Sequence, residues 1–170
     1  VQLTGSPVLA PARSVTRPYR WNWAARTMVI PVNAITTNTV KAMLAGIRSW
    51  GRAEIMDGYP TALAHLAQLG IDQGLEATRI PLIITTAEVL EPAQRELLQK
   101  YFAARVVNQY AASEPSCFVG ECEAGSLHVF PEAGILGLLP FEGEKPAARH
   151  LARLVMTAFH NTGPVSMLYA

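Results

Sequence analysis

Two short segments carry residue types that could do chemistry together. They are Thr85-Thr86-Ala87-Glu88 and Tyr110-Ala111-Ala112-Ser113-Glu114. Each joins small residues to a hydroxyl and a carboxylate. Small side chains let a planar ligand approach the backbone, and a tyrosine such as Tyr110 offers it a stacking face. Ser113 could donate to a phosphate oxygen. Glu114 could hold Mg²⁺ bridged to phosphates, because that hard cation prefers carboxylate and phosphate oxygens. Each segment taken alone also admits a plainer reading. Strands often end in Thr followed by a helix-capping acid, and Ser113 could simply cap a turn.

A third group, Cys117, Cys122 and His128, offers three soft ligands. Its spacing matches no common zinc pattern. Buried thiols are the default reading, and a structural Zn²⁺ completed by a ligand from elsewhere is the alternative. The cysteines are five apart in a Gly- and Glu-containing loop, and in a reducing compartment no disulfide is expected between them. His65 lies among Leu63, Leu66 and Leu69 and reads as a helix-surface residue, while His150 and His160 read as surface or β-face residues. Trp21, Trp23 and Trp50 read as packing residues. No Gly-x-Ser-x-Gly elbow is present for a Ser-His-Asp arrangement.

The elements that would position these residues alternate along the chain. Residues 1–20 hold Gly5, Pro7, Pro11 and Pro18 and read as an irregular lead-in. Residues 27–32 read as a short buried strand ended by Pro31. A helix is expected over 37–50, capped by Asn33 or Thr36, with Val40, Leu44, Ile47 and Trp50 forming an apolar stripe. Residues 54–57 form a short strand, Gly58-Tyr59-Pro60 turns the chain, and a second helix starts at Thr61. Residues 80–86 are the strongest strand, and their unbroken apolar run implies burial on both faces. Glu91-Pro92 opens a helix through Phe102, with proline tolerated in the first turn. Residues 106–110 complete the series. This order is that of an α/β, doubly wound, mostly parallel sheet flanked by helices, with ligands bound beyond the carboxyl ends of the strands. After Glu114 the pattern changes to short strands at 126–130, 134–139 and 151–159, a small antiparallel β-rich appendage. The organisation is read as an α/β subdomain over 1–125 and the start of a β-rich subdomain over 126–170.

Composition sets the bounds. Half of the 170 residues are apolar and 16% are charged, with a formal net charge of +1. That balance gives no electrostatic footprint for nucleic acid or a membrane surface. Arg13, Arg17, Arg20 and Arg26 are spread among aromatics and read as solvated or paired. No apolar run approaches the roughly 20 residues of a membrane helix, and residues 1–12 lack a secretory pattern. A cytoplasmic location is expected.

Five elements, in order and spacing, resemble the AMP-forming acyl-adenylate ligase superfamily over about residues 27–160, with phenylacetate–coenzyme A ligases and their capsule-biosynthesis relatives the nearest branch. The family's Tyr-Gly-x-Ser/Thr-Glu stands here as Tyr110–Glu114. Its Gly-Glu-x-Leu stands as Ala87-Glu88-Val89-Leu90, and its Gly-x-Pro-Ser as Gly58-Tyr59-Pro60-Thr61. Glu121–Val129 is similar to the Glu-Cys…Gly…His element, and Leu154–Asn161 to the strand before the ribose-binding aspartate.

The resemblance implies roles. Tyr110 would stack on adenine, with Ala111 and Ala112 beside the nucleotide. Ala87 and Glu88 would line the adenine and acyl pocket, Ser113 would contact phosphate, and Glu114 would bind Mg²⁺. It implies ATP and coenzyme A as cofactors and a small carboxylic acid as substrate, with aromatic acids favoured by the likeness. It also sets departures. Alanine replaces glycine at 87 and 111. No Ser/Thr/Gly-rich phosphate loop, ribose-binding Asp or C-terminal Lys domain is found within the sequence. The expectation is thus a middle portion of a ligase that needs the remainder of such a chain to adenylate anything. A non-catalytic nucleotide- or partner-binding module and a degenerate remnant are the alternatives, and the low charge fraction fits either a truncated domain or the surface of a homo-oligomer.

Overall fold

The computed structural model describes residues 1–5, 16–51, 53–76, 78–111, 116–139 and 153–159. The chain divides into two compact units, Val1–Asn108 and Gln109–Ala170. The end of β6 and the strand that follows it, which the sequence groups with residues 1–125, therefore pack with the second unit.

The first unit is built on strands β1 (Gln2–Thr4), β2 (Arg20–Asn22), β3 (Thr27–Pro31), β4 (Ile55–Gly58), β5 (Leu82–Thr85) and the first part of β6 (Arg105–Ala111). Their order is β2-β3-β1-β4-β5-β6. Every pair is parallel except β2 with β3. The lead-in is therefore not wholly irregular. Gln2–Thr4 lies inside the sheet between β3 and β4, and Arg20–Asn22 pairs along the outside of β3.

Three helices connect the strands: α1 (Val40–Trp50), α2 (Pro60–Asp72) and α3 (Pro92–Phe102). All three crossovers advance the same way along the sheet. Right-handed connections then put the helices in one layer, and α1 packs on α2 and α2 on α3. Met56, Ile83 and Val106 share one register row and are buried. Together with Ile30, Leu63, Leu66, Leu98 and Phe102 they belong to the core. The alternate row is less covered. Ile83 and Thr85 are fully buried while Leu82 and Ile84 are half-buried, so the expected two-sided burial of this strand is met on one face only.

Helix ends follow local chemistry. The first helix begins at Val40, three residues later than expected, because Thr36–Thr39 forms a turn of its own. Thr39 Oγ1 donates to the Ala34 carbonyl and accepts from the Thr36 amide at 3.0 Å. Thr39, rather than Asn33 or Thr36, is the N-cap residue. At α3, Glu91 and Gln94 make a reciprocal capping box ahead of Pro92, which satisfies amides the first turn leaves unpaired. The same helix ends on Ala103 at φ 48°, in the left-handed region. That conformation favours glycine, and Ala103 is exposed, so its methyl contributes little packing. Ala103→Gly should therefore raise stability by about 0.5–1 kcal/mol, read as a higher denaturant midpoint with an unchanged slope.

The second unit is antiparallel. Gln109–Ala111 pair with β7 (Phe118–Glu121), which pairs with β8 (Leu127–Val129). β9 (Gly134–Leu139) pairs with β10 (Arg153–Ala158) over six residues each. The strand Phe118–Glu121 was read from sequence as loop. It is held by its ladder on both sides and by a 5.0 Å edge contact between Phe118 and Phe130.

Candidate functional site at the carboxyl ends of the parallel strands

The carboxyl ends of β4 and β5 are adjacent in the first unit, with Val107 and Asn108 of β6 beside β5, and polar groups tie the three strands together. Thr85 is fully buried. Its hydroxyl reaches Asn108 Oδ1 at 2.9 Å and the Val107 carbonyl at 3.3 Å, linking β5 to β6. The Thr86 amide donates to the Gly58 carbonyl at 3.2 Å, linking the loop after β5 to the end of β4. Gly58 is required by packing, since a Cβ there would lie 2.8 Å from Leu3 Cβ on β1.

Glu88 closes this arrangement. Its Oε2 accepts from the Thr61 amide at 3.1 Å and from Thr61 Oγ1 at 2.7 Å. Pro60, at the start of α2, has no N–H to offer, and Tyr59 makes no side-chain cap. The Thr61 amide is thus the first unpaired donor of the helix, and a carboxylate there suits the positive end of the helix dipole. The segments Gly58–Thr61 and Ala87–Leu90, recognised separately in the sequence, meet through this pair. Thr61 and Asn108 are the residues that sequence reasoning did not place at the site. Thr61 reads in the sequence as a helix start and as the end of the Gly58–Thr61 motif, and a bond across 27 residues leaves no periodic signal.

Ala87 stands at φ 66°. A Cβ in the left-handed region costs about 1–2 kcal/mol in the general case, and Ala87 is exposed. Ala87→Gly should stabilise the first unit by about 0.5–1 kcal/mol after glycine's larger unfolded-state entropy is set against that relief. Chemical denaturation measures the gain, and a loss of stability would contradict the left-handed assignment.

Within the second unit Tyr110 is 39% exposed and pairs with Val119, while Ala111 pairs with Phe118. The backbone of both is part of a ladder, and the Tyr110 ring is partly exposed. Ala112, Ser113 and Glu114 lie outside the described residues, as do His150 and His160.

Among the described residues no three of His, Cys, Asp or Glu converge on a point where a metal ion could be held. Cys117, Cys122 and His128 are therefore not assembled into a ligand set. Cys117 is buried, and that burial pushes its thiol above the usual range. Gly120, opposite His128 in the β7–β8 pair, separates Val119 from Glu121, and Cys122 turns the chain through a bond from its amide to Ser126.

Two open clefts lie elsewhere in the first unit, toward the amino ends of the strands. One of about 500 Å³ is lined by Arg26, Thr27, Trp50, Ile55 and Asp57 among others. Burial raises the Asp57 carboxyl above its ordinary value there. The second, about 370 Å³, is lined by Gly51, Glu54, Thr78 and Arg79 among others. Neither holds a residue of the two segments singled out by sequence.

No family model matches the chain. Over 110 residues, 64% of its length, it is 30% identical to Protein CapK of Staphylococcus aureus, of which those residues make up 23%. Among solved structures it is similar to 2-hydroxyisobutyryl-CoA ligase in an open conformation with 2-HIB-AMP and CoA, with a TM-score of 0.54 and 15% identity over 71% of this chain and 28% of that one. It is similar to VinN, with a TM-score of 0.51 and 16% identity over 76% of this chain and 32% of that one. The anthranilate CoA ligase AuaEII, solved with anthranoyl-AMP, has a TM-score of 0.51 and 14% identity over 73% and 25% of the respective chains. The chain spans less than a third of the length of each of these proteins. At these identities the solved structures show a shared fold.

Proposed function

We propose, for a chain that shares its fold with part of the AMP-forming ligases and resembles their family in sequence, that it is the central nucleotide- and acyl-binding portion of a carboxylate–coenzyme A ligase of the phenylacetate type. The observation that carries this reading is the meeting of Gly58–Thr61 with Ala87–Leu90 at neighbouring carboxyl ends of β4 and β5. Such strand ends are where open parallel sheets bind ligands. Similarity to CapK over 110 residues supports it.

In this reading Tyr110 stacks on adenine, with Ala111 and Ala112 along the nucleotide, while Ala87 and Glu88 line the adenine and acyl pocket. Ser113 contacts phosphate and Glu114 holds Mg²⁺. A carboxylate oxygen of the substrate attacks the α-phosphorus of ATP and pyrophosphate leaves. The coenzyme A thiol then attacks the acyl carbon and AMP leaves. Most of the first step is positioning and charge neutralisation. The phosphate loop, ribose-binding Asp and catalytic Lys would come from chain beyond these residues. The substrate is a small carboxylic acid, with aromatic acids favoured by the resemblance. A cytoplasmic location goes with that chemistry; among the described residues no helix is long and apolar enough to cross a membrane.

The test is Glu114→Gln in the ligase polypeptide that contains these residues. Removing the metal-binding charge should slow pyrophosphate release about 100-fold or more, measured by coupled phosphate detection with saturating acid. Unchanged turnover would remove Glu114 from the role. A second reading, a nucleotide- or partner-binding module without catalysis, is favoured by one observation: Ala87 keeps a methyl group at a left-handed position where the family has glycine. Calorimetry with ATP–Mg²⁺ on the same polypeptide separates the two when read beside turnover, since binding without pyrophosphate release is the module's signature.

A further inference from the structure

Glu88 was expected to face the ligand, yet its described bonds go to a helix. Oε2 takes both donors of Thr61, from a residue 27 positions earlier. The loop that carries Glu88 is held a second time by the Thr86 amide on the Gly58 carbonyl. Between these two tethers lies Ala87 in its left-handed turn. A loop with one tether pivots, whereas a loop with two, on either side of a fixed turn, has a set orientation. Pro60 fixes φ at the helix start, so the other half of the joint is stiff as well.

We propose that Glu88 is a positioning residue. Acting through Thr61, it locks the Gly58–Thr61 turn to the Thr85–Glu88 loop, so that the rims beyond β4 and β5 meet an acyl-adenylate as one rigid edge. This rests on the ligase reading above for the identity of the ligand, and on the hydrogen bonds alone for the lock.

Two measurements keep those parts separate. The first is amide hydrogen exchange at Thr61 in the 170-residue chain. The wild-type amide should exchange about tenfold more slowly than in Glu88→Ala, and Glu88→Gln, which keeps an acceptor oxygen, should restore most of the protection. A Thr61 amide already unprotected in the wild type would overturn the lock whatever the enzyme does. The second is kinetics in the ligase polypeptide. Glu88→Ala and Thr61→Ala should each lower kcat/KM for the acid about tenfold, and the double variant should be no worse than the poorer single one. Thr61→Ser and Glu88→Gln, which keep the bonding atoms, should recover most of the loss. Additive losses would place Glu88 directly on the ligand and overturn the positioning role. Normal kinetics in Glu88→Ala, with Thr61 protection lost, would also overturn it. A wild-type polypeptide with no adenylation but a protected Thr61 amide would refute the ligase reading, and with it the ligand part of the proposal, while the lock stands.

Discussion

Gly134→Ala is expected to cost the second unit about 3 kcal/mol or more, enough to unfold the β9–β10 pair in a unit of this size. A Cβ on Gly134 would lie 2.2 Å from the Ser116 carbonyl oxygen and 2.3 Å from that of Thr157. Both are backbone atoms, so no rotamer change relieves the clash. Relieving the clash with Thr157 means separating strands that are otherwise paired from Gly134↔Ala158 to Leu139↔Arg153. Val155, Met156 and Ala158 are buried and would be exposed with them. Amide exchange at Met156 and Thr157 should accelerate to the rate of an open chain, while Met56 and Ile83 in the first unit serve as internal controls. Unchanged protection at Met156 would contradict this pairing.

The first unit has a similar close contact between α2 and α3. A Cβ on Gly70 would stand 2.0 Å from Tyr101 Oη and 2.6 Å from its Cζ. Tyr101 cannot swing away without cost, because its hydroxyl donates to the Leu75 carbonyl at 3.0 Å. Its ring also lies edge-on to Phe102, at 4.8 Å between centroids. Gly70→Ala should therefore destabilise by about 2–3 kcal/mol. Tyr101→Phe alone should cost about 1 kcal/mol for the lost hydrogen bond. The two losses should not add. Without the hydroxyl the worst contact disappears, although the ring carbon still presses, so the double variant should recover about 1 kcal/mol of the sum. Urea denaturation of the four chains completes the cycle. Strict additivity would mean that α2 and α3 do not meet at this pair.

What the sequence made legible follows from how local each signal is. The third helix, Pro92–Phe102, was read with both ends in place because Glu91-Pro92 marks its start within two residues. The strand Gly134–Leu139 was bounded by its own glycine and turn residues. Strand β1 was missed for the opposite reason. Gln2-Leu3-Thr4 offers one buried apolar residue and no period, and its place in the sheet is fixed by distant partners such as Ile30 opposite Leu3. Strand β7 carries Gly120 and follows a proline, so its identity comes from the ladders on either side. At the site, the two motifs of the first unit were visible as residues, while the Thr61–Glu88 bond that joins them was visible only in three dimensions. Of the second motif, Tyr110 and Ala111 are placed on a paired strand, and Ala112, Ser113 and Glu114 lie outside the described residues. The soft-ligand trio shows the limit of counting: Cys117, Cys122 and His128 are near in sequence without converging.

The central claim is that these residues work as the middle of an adenylate-forming ligase. Sequencing the coding DNA on both sides of the segment tests it most directly. The account predicts an uninterrupted reading frame with a Ser/Thr/Gly-rich phosphate loop upstream, and downstream an Asp-containing segment followed by a late Lys domain. Stop signals immediately flanking codons 1 and 170 would contradict it, because a chain without those elements has nothing to hold the triphosphate or to carry the second half of the reaction.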